Sequence, residues 1–213
     1  MGLSIDERID KSHFRVAIFG SARLTKESPV YQTIFELAQM ISKEGVDLVT
    51  GGGPGLMNAA SESHHAGRMT KEVHSIGLKI HLPREEREAR HLDIKTEFER
   101  FSNRLDTFMR YSNAVVVASG GVGTLLKLFY TWQLMQVQHT CHIPIILLGK
   151  MWKDFVHWIQ QWLLKYELLN QNDVELLYLA NDYHEAFQII LEAYRSYLRN
   201  DEDFCLNYQK YRI

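Results

Sequence analysis

Three glycines and a threonine in Gly120-Gly-Val-Gly-Thr124 are the residues best placed to do chemistry. They separate the apolar run Ala114-Val-Val-Val-Ala118 from a long apolar stretch over 125–138. A strand that passes through glycines into a helix aims backbone N–H groups at whatever sits in the turn, and the helix start adds partial positive charge. The natural guest is an anion, most often a phosphate. Gly120, Gly121, Val122, Gly123 and Thr124 are the expected phosphate-binding residues, with the Thr124 hydroxyl able to cap the helix or to donate to a phosphate oxygen. Two further turns, Gly20-Ser-Ala-Arg23 and Gly51-Gly-Gly-Pro-Gly55, supply Gly20, Ser21, Arg23, Gly52, Gly53 and Gly55 as candidates for the rest of the ligand. Four glycines in five residues exceed what a turn needs, because each flexible residue costs folding entropy. They point to close approach by a ligand or a neighbouring loop.

Other chemistries find less support. The glycine cluster follows the second strand, not the first as in the dinucleotide fingerprint, and no loop ends in the Gly-Lys-Ser/Thr of a triphosphate-binding loop. There is no Gly-x-Ser-x-Gly nucleophile elbow. His64, His65 and His74 show no ligand spacing with a cysteine or carboxylate pair and are read as structural, so neither metal nor cofactor is expected. Cys141 and Cys205 suggest neither a metal site nor a disulfide framework and are expected as two thiols.

These turns need elements to hold them. Arg15-Val-Ala-Ile-Phe-Gly20, residues 46–50, Ser75–Ile80, the Ala114 run, residues 143–148 and residues 176–180 read as six strands. Helices are expected from Pro29 to a stop at Gly45, over 56–66, over 152–165 and over 183–198. Another is expected where Phe98, Phe101, Leu105, Phe108 and Met109 recur at spacing three and four. Alternating strands and helices give an α/β fold: a Rossmann-like, doubly wound, mostly parallel sheet of six to seven strands with helices on both faces. In the order 3-2-1-4-5-6, the first and fourth strands meet at the switch point, and the loops at Gly20 and Gly120 face one crevice. The whole chain, 1–213, reads as one nucleotide-binding domain with a polar extension over 1–13 and a tail over 200–213.

With 46% hydrophobic residues, 23% charged residues and a net charge of −2, the chain is not built to hold nucleic acid by bulk charge. Residues 1–12 are polar, and no window approaches about 20 apolar residues, so a cytoplasmic protein without a membrane partner is expected.

Taken in order, Phe19-Gly-Ser-Ala-Arg23, Thr50-Gly-Gly-Gly-Pro-Gly-Leu-Met57 with Ala59-Ala60, Ile76-Gly-Leu-Lys-Ile80 before Leu82-Pro83, Arg104 and Gly120-Gly-Val-Gly-Thr124 resemble the lonely-guy (LOG) family. This is a Rossmann-like group often mislabelled as lysine decarboxylases, and the resemblance runs over about 14–191. It implies a phosphoribohydrolase that cleaves the N-glycosidic bond of nucleoside 5′-monophosphates, AMP or cytokinin ribotides, to free base and ribose 5-phosphate. It further implies that Gly120, Gly121, Gly123 and Thr124 hold the 5′-phosphate, that Met57 joins the nucleotide-binding set, that Arg104 is the catalytic arginine, and that a homodimer or higher homo-oligomer completes the site.

The departures are chemical. The family loop reads Pro-Gly-Gly-x-Gly-Thr-x-x-Glu; here Ser119 replaces the proline and Lys127 the glutamate. Leu126 and Tyr130 stand where relatives often carry acids, and Leu105 replaces the lysine that follows the arginine. Breaking a nucleoside bond builds positive charge on the ribose, which a carboxylate one turn past the phosphate loop offsets. A lysine repels that charge, or strengthens phosphate binding instead. At about 4 Å and an effective dielectric near 20 a unit pair is worth roughly 4 kcal/mol, so reversing its sign swings about twice that. Half of such a loss is on the order of a thousandfold in rate. Substitute carboxylates are available in principle from Glu85, Glu86, Glu97, Glu99 or Asp106. The reading is a LOG-like protein that binds a purine nucleoside 5′-monophosphate with hydrolysis weakened or lost; the alternative is an active phosphoribohydrolase.

Overall fold

Central strands rich in Val, Ile and Leu with no polar alternation are what a sheet covered on both faces requires, and the computed structural model, which describes residues 5–81, 88–199 and 205–211, is built around such strands. Its strands are β1 (Arg15–Phe19), β2 (Asp47–Thr50), β3 (Ser75–Ile80), β4 (Ile94–Phe98), β5 (Ala114–Val117), β6 (Ile145–Leu148) and β7 (Leu177–Ala180). They form one parallel sheet in the order β4-β3-β2-β1-β5-β6-β7. From β1 to β4 the chain steps outward, then returns to the centre at β5 and steps outward the other way. The order reverses between β1 and β5, which pair from Val16↔Ala114 to Phe19↔Val117. This is the adjacency expected of the first and the Ala114 strands.

Alternate residues of β1 serve opposite faces. Val16 and Ile18 pack with α2 (Pro29–Lys43), α3 (Leu56–Gly67) and α8 (Tyr183–Leu198). Ala17 and Phe19 pack with α4 (Phe101–Tyr111), α5 (Val122–Gln136) and α6 (Met151–Trp158). Along α2, Ile34, Leu37, Ala38 and Ile41 are fully buried on one stripe, and each large aliphatic among them contributes about 1.5–3 kcal/mol by leaving water. The shorter helices α1 (Ile5–Arg8), α7 (Gln171–Glu175) and α9 (Asn207–Lys210), and π-helical turns at Ile159–Leu164 that extend α6, complete the element order.

Three expectations change. Phe98 ends an edge strand instead of opening a helix. Ile94 is buried between exposed neighbours, and β4 pairs with β3 over five positions; its own charged residues, Lys95 and Glu97, hid this alternation. Helix α5 starts at Val122, three residues before Leu125, because the N–H groups of Thr124 and Leu125 both return to the Gly121 carbonyl at 2.9 and 3.0 Å. Cys141 and Cys205 are not thiols but a disulfide, with Cα atoms 5.4 Å apart.

That pairing belongs to a docked tail. Asn207 is buried, accepts the Cys141 N–H at 2.7 Å and donates to the Ser112 carbonyl at 3.2 Å. Tyr211 is buried and donates to Asp106 at 2.6 Å, and Tyr130 donates to the same carboxylate. No helix among the described residues is long and apolar enough to cross a membrane.

Candidate functional site

The three glycine turns meet where β1 and β5 end. Ala118 N–H donates to the Phe19 carbonyl at 2.8 Å, Ser21 N–H to the Ser119 carbonyl at 3.0 Å, and Leu56 N–H to the Ser21 carbonyl at 2.9 Å. These bonds bring the loops together around a cavity of about 650 Å³. Gly20, Ser21, Arg23, Gly52, Gly53, Met57, Arg104, Gly121, Val122, Gly123, Thr124 and Lys127 all line it. Two expected residues do not, Gly120 and Gly55, and each has a packing reason. A side chain at Gly120 would collide with Thr124, which folds back over it, and Gly55 has φ 68° and presses on the backbone of Ser21 and Ala22.

The glycines therefore fall into two kinds. A Cβ at Gly51 would stand 2.6 Å from Arg104 Nη2 and 2.6 Å from Met57 Sδ, and one at Gly20 would stand 2.7 Å from Leu56 Cδ1. Those glycines admit neighbouring protein. Around Gly121 and Gly123 a Cβ would meet nothing within 4 Å, and Gly121 has an ordinary φ of −98°. Neither packing nor backbone conformation asks for glycine at Gly121, and nothing packs on Gly123. Both lie at the start of α5, where the first-turn N–H groups have no carbonyl of their own helix to meet. Thr124 makes no side-chain cap, and its N–H is used inside the turn. An anion at this helix start would thus be met chiefly by the N–H groups of Val122 and Gly123.

Cations line the walls. Arg104, only 9% exposed, donates from Nε to the Leu78 carbonyl at 2.6 Å and from Nη2 to the Gly51 carbonyl at 3.1 Å. These bonds lock its guanidinium, which lies 5.5 Å from the Phe108 ring centre. Lys127 is partly buried; its Nζ donates to the Gly123 carbonyl at 2.6 Å and sits 5.5 Å over the Phe19 ring. Burial, and then the nearby Arg104 charge, push the Lys127 amine down from 10.5 to about 8. Lys79 also lines the cavity and is ion-paired with Glu88. It was not among the expected site residues, although a lone cation at the end of an otherwise apolar strand on this rim was a readable signal.

Among the described residues, no Asp or Glu lines the cavity. Glu97 is exposed on β4, 4.0 Å from Lys79 and 3.9 Å from His81. Glu99 is exposed, and Asp106 is taken up by Tyr130 and Tyr211. Glu85 and Glu86, like Leu82 and Pro83, lie outside the described residues.

The fold and site define a Rossmann-like α/β protein with a glycine-rich, cation-lined cavity at the switch point of its sheet. The family described as "Possible lysine decarboxylase" matches residues 57–190. The chain belongs to this family, the lonely-guy family. No curated protein matches it. Among solved structures, the protein TM1055 is 24% identical over 84% of this chain and 99% of its own, with a TM-score of 0.63. The molybdenum cofactor carrier protein of Chlamydomonas reinhardtii is 17% identical over 86% of this chain and 99% of its own, TM-score 0.61. The molybdenum cofactor binding protein of Rippkaea orientalis is 21% identical over 84% and 96%, TM-score 0.61. At these identities the likeness is one of fold.

Proposed function

We propose that this protein binds a purine nucleoside 5′-monophosphate, phosphate first, at the start of α5, and hydrolyses its N-glycosidic bond weakly or not at all. The open space at Gly121 and Gly123 carries the reading: those glycines leave room over a helix N-terminus, and the protein fills it with nothing of its own. Arg104 and Lys127 add two positive charges facing the same volume. Weak hydrolysis follows from the sign of those charges. A developing ribose cation meets Lys127 where the family carries a carboxylate, and no described acidic side chain lines the cavity to take its place. The fold likeness to molybdenum cofactor carriers is compatible with a holding role for such a cavity.

Calorimetric titration with AMP, IMP, GMP, CMP and adenosine tests this. Purine monophosphates are expected to bind and adenosine not; equal binding of adenosine, or no binding of any nucleotide, refutes it. The alternative, an active phosphoribohydrolase, is favoured by Arg104, whose guanidinium is locked in the cavity by two backbone carbonyls.

The same reading includes a homodimer. Leu126 and Phe129 are 43% and 44% exposed on α5, the helix that opens the cavity, and Trp158 at the end of α6 and Trp162 in the π-helical turns beyond it are 49% and 53% exposed. Pairing two copies through α5 would cover apolar surface that a monomer leaves in water. Light scattering on wild type and Phe129→Glu tests it: a dimer that the variant splits is expected, and a wild-type monomer refutes it.

A further inference from the structure

Three side chains that the cavity does not use meet at the opposite rim of the sheet. His13 precedes β1, Asp47 opens β2 and His74 precedes β3. These three strands are adjacent and parallel, so their N-terminal ends lie side by side. His13 Nδ1 lies 3.1 Å from Asp47 Oδ2, and His74 Nδ1 lies 3.9 Å from Asp47 Oδ1. One ligating atom from each residue falls within 4.8 Å of the other two. The two imidazole rings face each other, centroids 6.3 Å apart and planes 27° from parallel. His74, which no sequence spacing joins to a carboxylate, thus stands beside one, together with His13. Separations of 34 and 27 residues put the cluster beyond any local spacing rule.

Asp47 is buried and aimed. Its Oδ1 accepts the backbone N–H of His74 at 2.8 Å, which fixes the carboxylate beside both imidazoles. The Arg15 guanidinium stands 3.8 Å from Oδ2, yet its Nε donates to the Tyr111 carbonyl at 3.0 Å and its Nη1 to the Asp10 carbonyl at 2.6 Å. Arg15 adds repulsion to an incoming metal but does not occupy the ligand atoms. The His13 and His74 side chains keep 29% and 32% of their exposure, which gives a metal a path in and the rings room to turn.

We propose that His13, Asp47 and His74 form a binding site for a borderline-soft divalent cation, Zn²⁺ by preference, with solvent water as the remaining ligand. Two imidazole nitrogens and one carboxylate oxygen are the donors zinc takes, whereas magnesium and calcium require oxygen sets. Metal–ligand bonds of about 2.0–2.2 Å need the widest ligand separation to close by roughly 1–1.5 Å, a change within reach of two partly exposed rings. The bound ion would clamp the entry ends of three neighbouring strands, at the far rim from the nucleotide cavity.

The test uses tag-free, chelator-stripped full-length protein, titrated with Zn²⁺ against a chromophoric competitor and separately with Co²⁺ and Mg²⁺. One equivalent of Zn²⁺ is expected, with a four-coordinate Co²⁺ absorption and a thermal midpoint raised by Zn²⁺ but not by Mg²⁺. His13→Ala and His74→Ala should each weaken the tight equivalent by at least about tenfold and abolish the Co²⁺ band. Because the chain carries ten histidines, the double variant is the control. Zinc bound as tightly by His13→Ala/His74→Ala as by wild type, or no equivalent in wild type, overturns the proposal; so does a preference for Mg²⁺.

Discussion

Replacing Lys127 by methionine removes a charge whose energetic position the structure defines. The protein's own groups push the amine from 10.5 to about 8, by burial first and then by Arg104. That gap corresponds to roughly 3 kcal/mol against placing the charge there, and solvent screening of the partly exposed amine lowers the figure. A bound phosphate reverses the balance by setting a dianion between the two cations. A phosphate monoester loses its second proton near about pH 6, so the ligand is already dianionic where Lys127 titrates. Arg104 and Arg23 share the cavity, and Lys79 is held by Glu88. Above about pH 8, binding must therefore take up one proton at Lys127, and AMP affinity should fall about tenfold per pH unit. In Lys127→Met the slope should vanish, with affinity at neutral pH lower by the about 1.5–3 kcal/mol of a charged hydrogen bond. Calorimetry from neutral to alkaline pH, in buffers of different ionisation enthalpy, counts the proton directly. An affinity flat with pH in the wild type, or a slope that survives in the variant, refutes the placement of the phosphate beside Lys127. The sign also applies without ligand: a folded-state value below the unfolded one makes the empty protein more stable as pH rises from about 8 toward 10.5.

Gly123→Ala should raise stability by up to about 1 kcal/mol, since it lies in the first turn of α5 with nothing within 4 Å of the new Cβ, while AMP binding weakens; urea unfolding and titration read the two effects separately. His64 is fully buried, with Nε2 donating to the Val46 carbonyl at 2.9 Å, and burial lowers it from 6.5 to about 4. Its depressed value means stability is intact above about pH 6.5 and is lost as pH falls toward 4, by about 2 kcal/mol between pH 7.5 and pH 5. Urea midpoints at the two pH values should converge in His64→Gln. The Cys141–Cys205 bond spans 64 residues, so Cys205→Ser, or reduction, should cost up to about 4 kcal/mol by chain entropy, read as a lowered thermal midpoint.

Much of the scaffold could be read because one physical signal dominated it. Uniform apolar runs such as Ala114–Val117 and Ile145–Leu148 mark strands buried on both faces. Pro29 and Gly45, the latter at φ 78°, bracket α2 as their backbone preferences require. The cavity was legible for the same reason, since parallel strands deliver their following turns to one rim. Polar and long-range features were hidden. In β4, the exposed Lys95 and Glu97 alternate with partly buried Thr96 and Phe98, a pattern too short and too polar to mark a strand without its pairing to β3. Asn207 and Tyr211 are buried through hydrogen bonds that hydrophobic periodicity does not register. Neither the Cys141 pairing nor the meeting of His13, Asp47 and His74 follows from spacing, because the sheet brings them together across dozens of residues.

The reversed charge at Lys127 has one direct measurement. Purified protein is incubated with AMP, IMP, CMP and GMP, and free base and ribose 5-phosphate are followed under conditions where AMP is bound, for wild type, Arg104→Ala and Lys127→Glu. Bound nucleotide with little or no product from the wild type, and turnover appearing in Lys127→Glu, is the expected result. Sustained wild-type turnover that Arg104→Ala abolishes would contradict it.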